Sequence, residues 1–123
     1  MKRTIITLAA LAMLALPLSA PAGTEAAKPI KLAGVTGPTF TITLKKAGKK
    51  VTTLKPGRYT ITVTDKSGEH DFWIVGPGVK AKQITGLGFT GTRSATVILK
   101  KGRYEFYCKP HRTMGMRGFF RVR

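Results

Sequence analysis

Gly102-Arg103-Tyr104-Glu105-Phe106-Tyr107-Cys108-Lys109-Pro110-His111-Arg112-Thr113-Met114-Gly115-Met116-Arg117-Gly118 runs from a turn glycine through an alternating segment into a cluster of soft donors. Tyr104, Phe106 and Cys108 fall on one face at strand periodicity, so alternation carries the thiol to the core side just as the strand ends. The nine residues from Cys108 to Met116 hold the only cysteine, one of two histidines and two of four methionines in the chain. A thiolate, an imidazole and a thioether packed this closely match copper, above all copper that must be stable in both oxidation states.

Working outward, Leu99-Lys100-Lys101-Gly102-Arg103-Tyr104 repeats the pattern of Leu54-Lys55-Pro56-Gly57-Arg58-Tyr59. Each copy is a turn feeding a strand, and the first buries Tyr59, Ile61 and Val63. Two equivalent corners of a β-sandwich account for the pair; the similarity is too short for a repeat architecture. Between the copies, Asp65 to Glu69 is turn chemistry. A strand follows with His70, Phe72 and Ile74 on one face, and Gly76-Pro77-Gly78 ends it. A glycine-spaced connection leads to a strand over 95–99, with a brief helical turn expected near Lys80 to Ile84. Phe119 to Val122 forms the last strand. Upstream, order begins near Ile30, Phe40, Ile42 and Leu44 alternate with threonines as a strand with one buried face, and Ala47-Gly48-Lys49-Lys50 turns the chain. Short strands between regular turn signals, with no convincing amphipathic helix, give an all-β sandwich or barrel.

The N-terminus has Lys2 and Arg3, an apolar run from Ile5 to Leu18 and then Ala20-Pro21-Ala22. This reads as a secretory signal peptide over residues 1–22, cleaved after Ala22. Residues 23–29 form a flexible lead-in and 30–123 one domain of modest core. The apolar run is short for a membrane span and contains Pro17, so an uncleaved anchor is the poorer reading. Export to the periplasm or another extracytoplasmic space is therefore expected. An exported chain with one cysteine cannot pair it internally, which leaves an intermolecular disulfide, a free thiol or a metal ligand. His111 three residues on, with methionine beyond it, favours metal.

The formal net charge of +17 falls by two, to +15, once Lys2 and Arg3 leave with the signal. Such a surface suits acidic partners, and export argues against nucleic acid. Acidic redox proteins, anionic lipid head groups and cell-wall polymers remain; dispersed lysines that merely confer solubility are the bland alternative.

The available ligands are His70, Cys108, His111 and one of Met114 or Met116. Two imidazoles and a thiolate with a long axial thioether define an electron-transfer copper site. His70 alone, beside Phe72 and Ile74, would read as a core side chain, but it is the only other histidine that can complete the site. Both methionines could be core filler. Zinc is the chemical rival, though a structural zinc site draws on more cysteines and has no use for methionine. Hydrolytic catalysis lacks an orienting partner for Cys108 and His111, and oxidase chemistry would need more histidines than the chain has.

Tyr107-Cys108-Lys109-Pro110-His111-x-x-x-Gly115-Met116-x-Gly118 resembles the copper loop of cupredoxins of the plastocyanin and pseudoazurin type. Pro56-Gly57-x-Tyr59, Asp65, Ser67, His70-x-Phe72 and Gly76-Pro77-Gly78-Val79 resemble the segment of that family that carries the first ligand. The resemblance implies a Greek-key β-sandwich of about seven or eight strands, with one copper ion at one end bound by His70, Cys108, His111 and Met116. The methionine-x-glycine entry into the last strand selects Met116 over Met114. Where the family commonly has asparagine after the first histidine and a small hydroxyl residue after the cysteine, this chain has Asp71 and Lys109. The paired departure predicts an Asp71–Lys109 ion pair clamping the cysteine loop to the His70 strand. Lys109, Arg112 and Arg117 beside the ligands would favour reduced copper and attract an acidic redox partner. The reading is an exported, monomeric blue-copper electron carrier without catalytic turnover. A copper-delivery protein is the alternative, and a basic scaffold that contacts anionic membrane surfaces weakly is a third.

Overall fold

A computed structural model describes residues 15–17 and 27–123; the expected signal peptide and its cleavage site lie largely outside the described residues. Among the described residues no helix is long and apolar enough to cross a membrane. The chain forms β1 (Ile30–Thr36), β2 (Ile42–Lys46), β3 (Lys49–Lys50), β4 (Thr53–Leu54), β5 (Gly57–Asp65), β6 (Phe72–Gly76), β7 (Val79–Thr85), β8 (Gly91–Leu99), β9 (Gly102–Tyr107) and β10 (Arg117–Val122), with one 3₁₀ segment, Lys109–Met114. One sheet has the order β3-β2-β1-β5-β8, the other β4-β10-β9-β6-β7. The expected all-β sandwich is therefore present, as are strands of five residues or more in the expected number of eight.

Alternation builds the core. Tyr59, Ile61 and Val63 of β5 face inward, meeting Phe72 and Ile74 of β6 and Tyr104 and Phe106 of β9 in one buried cluster. Phe72 stacks on Phe106 and Tyr104 on Phe120, ring pairs that add to what area burial alone supplies. The two sequence copies are equivalent corners, as expected: β4 to β5 and β8 to β9 each cross from one sheet to the other. In both, the tyrosine reaches back four residues to the turn. Tyr59 Oη donates to the Lys55 carbonyl at 2.7 Å, and the Lys100 amide donates to Tyr104 Oη at 2.9 Å.

Two expectations are corrected, and one strand was unmarked in the sequence. Lys80 to Ile84 is strand, not helical turn, because β7 pairs along β6 as the edge of its sheet. Phe40 is not on a buried strand face: β2 begins only at Ile42, and Phe40 lies 57 % exposed in the bend before it. β1 escapes the periodic pattern because Gly34 occupies an inward position where a Cβ would press within 3.0 Å of Phe72 and Val63.

Gly118 makes the same kind of close approach on β10, where an added Cβ would collide with the Phe106 ring. Gly118→Ala is expected to cost about 1–3 kcal/mol in urea unfolding, the range for overpacking a filled core; an unchanged midpoint would show that the ring moves freely.

Candidate metal centre

Sheet pairing converges the donors. β6 and β9 are antiparallel neighbours with Trp73 opposite Tyr107, so His70, just before β6, and Cys108, just after β9, arrive at the same end of the sandwich. Cys108 opens the 3₁₀ segment, whose first turn places His111 back beside the thiol through a His111 amide to Cys108 carbonyl bond of 3.2 Å. The Met116 amide donates to the His111 carbonyl at 3.2 Å, and the Cys108 amide donates to the Met116 carbonyl at 3.0 Å. These bonds close the loop on itself. They also sort the methionines: Met116 is 1 % exposed, whereas Met114 is 65 % exposed.

His70 Nδ1, His111 Nδ1 and Cys108 Sγ form a triangle with sides of 3.1, 3.8 and 3.5 Å. A point about 2.0 Å from all three atoms exists within it, a metal–nitrogen bond length and a little short of metal–sulfur. Two imidazole nitrogens and a thiol so arranged can direct a lone pair each toward one shared point, as a bound metal ion requires. His70 Nε2 lies 3.2 Å from the Pro38 carbonyl, which accepts its proton and leaves Nδ1 as the free donor. Burial pushes the Cys108 thiol above its ordinary range, partly offset by a hydrogen bond from the Asp71 backbone. Metal binding must therefore displace a proton from sulfur.

The predicted Asp71–Lys109 ion pair does not form. Asp71 is buried, and both its oxygens are already engaged: Oδ1 accepts the Lys109 backbone amide at 2.7 Å and Oδ2 accepts Trp73 Nε1 at 2.9 Å. The Lys109 ammonium instead lies 5.1 Å from the Trp73 ring centroid. The clamp between the two ligand segments exists, but the main chain at residue 109 makes it. Arg112 pairs with Glu105 in a bidentate contact at 2.6 and 2.9 Å and stacks over Tyr107, so its charge is largely compensated.

Sequence reasoning missed Phe40 as part of this site. Its ring stands edge-on to His111 at 4.7 Å and to His70 at 5.6 Å, covering both imidazoles from the 37–41 bend. The threonine alternation around it pointed to a strand, and no local signal separates a capping aromatic from a core one.

Because the clamp uses a backbone amide, Lys109→Ala is expected to leave copper retention unchanged, while Asp71→Ala leaves two part-buried donors without their acceptor and costs about 1–3 kcal/mol. Competition with a copper chelator and thermal melts of both variants check this; equal effects would restore the ion pair. Phe40→Ala is expected to raise the rate of copper removal by the same chelator several-fold, and an unchanged rate would make Phe40 a bystander.

A family model described as "Copper binding proteins, plastocyanin/azurin family" matches residues 39–123. Among solved structures, rusticyanin from Thiobacillus ferrooxidans at 1.27 Å is similar at 26 % identity with a TM-score of 0.51, covering 76 % of each chain. Reduced rusticyanin is similar at 23 % identity with a TM-score of 0.53, over 80 % of this chain and 82 % of that one. Auracyanin B is similar at 15 % identity with a TM-score of 0.57, over 78 % of this chain and 91 % of that one. No curated protein sequence matches. With a family match over most of the folded chain and a His-Cys-His donor cluster that suits copper, this protein belongs to the plastocyanin/azurin family of copper-binding proteins, the cupredoxins.

Proposed function

We propose that the protein is an exported blue-copper carrier that passes single electrons between larger redox proteins, with His70, Cys108, His111 and axial Met116 as its ligands. The observation that carries this reading is the triangle of two Nδ1 atoms and one Sγ at one end of a rigid sandwich. Bound there, copper supplies a one-electron couple between Cu(I) and Cu(II). The chain does the rest. The Pro38 carbonyl fixes the tautomer of His70, Asp71 holds the cysteine loop against the His70 turn, and the Met116 backbone bonds pin the last candidate ligand beneath the loop. With the ligands so restrained, little has to move when the charge at their centre changes. His111 is only partly buried, which gives electrons a short route to the surface at its ring edge.

Lys109 and Arg117, in and just after the ligand loop, have no ion-pair partner among the described residues, and they support docking of an acidic redox partner. A second reading, copper delivery, is favoured by one feature: exposed Met114, three residues past the partly exposed His111, offers a soft donor at the surface.

Titration with Cu(II) tests the assignment. An intense thiolate-to-copper visible band, a narrow-hyperfine electron paramagnetic resonance signal and reversible one-electron reduction are expected, and Cys108→Ser should abolish the band. A pale complex that loses copper readily to a chelator would favour delivery. Electron exchange with an acidic protein is expected to slow as salt rises, since such steering is screened over about 8 Å at physiological ionic strength; a flat salt profile would remove acidic partners from the reading.

A further inference from the structure

The strand registers place charge as well as ligands. β5 runs from Gly57, opposite Leu99, to Asp65, opposite Gly91. The turns β4–β5 and β8–β9 therefore lie at the end of the sandwich away from His70 and Cys108. Each of these two turns carries a pair of exposed cations: Lys55 and Arg58, Lys100 and Lys101.

The acids lie elsewhere. Among the described residues Asp65 ends β5 at the ligand end, Glu69 and Asp71 flank His70, and Glu105 is engaged by Arg112. No side-chain carboxylate lies in the two far turns, and Ile98 and Ile30, 64 % and 41 % exposed, lie beside their cations at the same end.

We propose that the end of the sandwich opposite the copper ligands is a docking surface for an anionic lipid bilayer, which holds the His111 edge outward. Two cationic turns at one end with exposed isoleucines among them fit a surface of acidic head groups, where lysines add attraction and short apolar side chains reach the acyl boundary. This goes beyond the electron-carrier reading and does not depend on it, because the surface is at the other end of the molecule.

The test is co-sedimentation of the copper-loaded protein with vesicles of phosphatidylcholine containing phosphatidylglycerol, and with phosphatidylcholine alone to measure any uptake through residues 5–18. Salt-sensitive binding to the acidic vesicles is expected. At about fivefold per charge, Lys100→Gln with Lys101→Gln should lower it more than tenfold, whereas Lys66→Gln with Arg93→Gln at the ligand end should change it little. Equal losses from the two ends, or binding to polyglutamate without binding to acidic vesicles, would overturn the proposal, the latter in favour of an acidic protein partner. Loss of the blue band with vesicle binding intact would sink the carrier reading alone.

Discussion

The hydrogen bond from the Lys109 amide to Asp71 Oδ1 is the tie on which the donor cluster depends. His70 and Cys108 are far apart in sequence, and sheet pairing between β6 and β9 brings them near each other but ends at Trp73 and Tyr107. Beyond that pair the two chains have no ladder to hold them. Asp71 and Lys109 lie just past it, and the carboxylate closes the gap with one oxygen while the other anchors on the Trp73 indole. A buried carboxylate costs several kcal/mol unless its lone pairs are met, and here two N–H donors meet them. Removing either segment from the tie would leave an anion unsatisfied beside the thiol. That penalty is what makes the arrangement specific.

The same anion opposes the thiolate. Asp71 lies close enough to Cys108 that its charge helps raise the thiol, while the Asp71 amide donates to the sulfur and pulls the other way. A cation at the centre of the triangle reverses the sense of the first effect, because it attracts carboxylate and thiolate alike. The folded chain thus presents an anionic second contact to oxidised copper, set against Lys109 and Arg117 nearby, which favour the reduced ion. Arg112 contributes less than its position suggests, since Glu105 holds it in a bidentate pair.

Much of the fold and of the ligand set was legible in the sequence because both rest on spacing. Period-two alternation marked Tyr59, Ile61 and Val63 and delivered Cys108 to the core side; the two turn copies marked the corners; and the donors, apart from His70, lie in one loop. His70 was found by elimination, there being one other histidine, and by the resemblance of its flanks to the segment that carries the family's first ligand. What escaped rests on contacts between distant segments. β1 was hidden by Gly34, whose missing side chain answers to Phe72 and Val63. Phe40 obeyed strand alternation and yet caps two imidazoles, because the bend before β2 turns it out of register. The Asp71–Lys109 pairing was rightly placed and wrongly assigned: residue types suggested two charges, while the backbone amide, which every non-proline residue carries, made the bond.

The formal charge of +17 misleads if it is read as a single field around the copper ligands. β5 spans the sandwich with nine residues, about 30 Å at 3.3–3.4 Å per residue, whereas charges in physiological salt act over about 8 Å. The cations of the far turns are several screening lengths from His111 and contribute almost nothing to its potential or to the approach of a partner there. At the ligand end the cations are interleaved with Glu69, Asp71 and Glu105, and the exposed ground around His111 includes Phe40 and Met114. The two ends are therefore electrostatically independent. One is unipolar and suited to adhesion, the other nearly balanced, with an apolar rim around its exposed imidazole, so contact at one need not compete with exchange at the other.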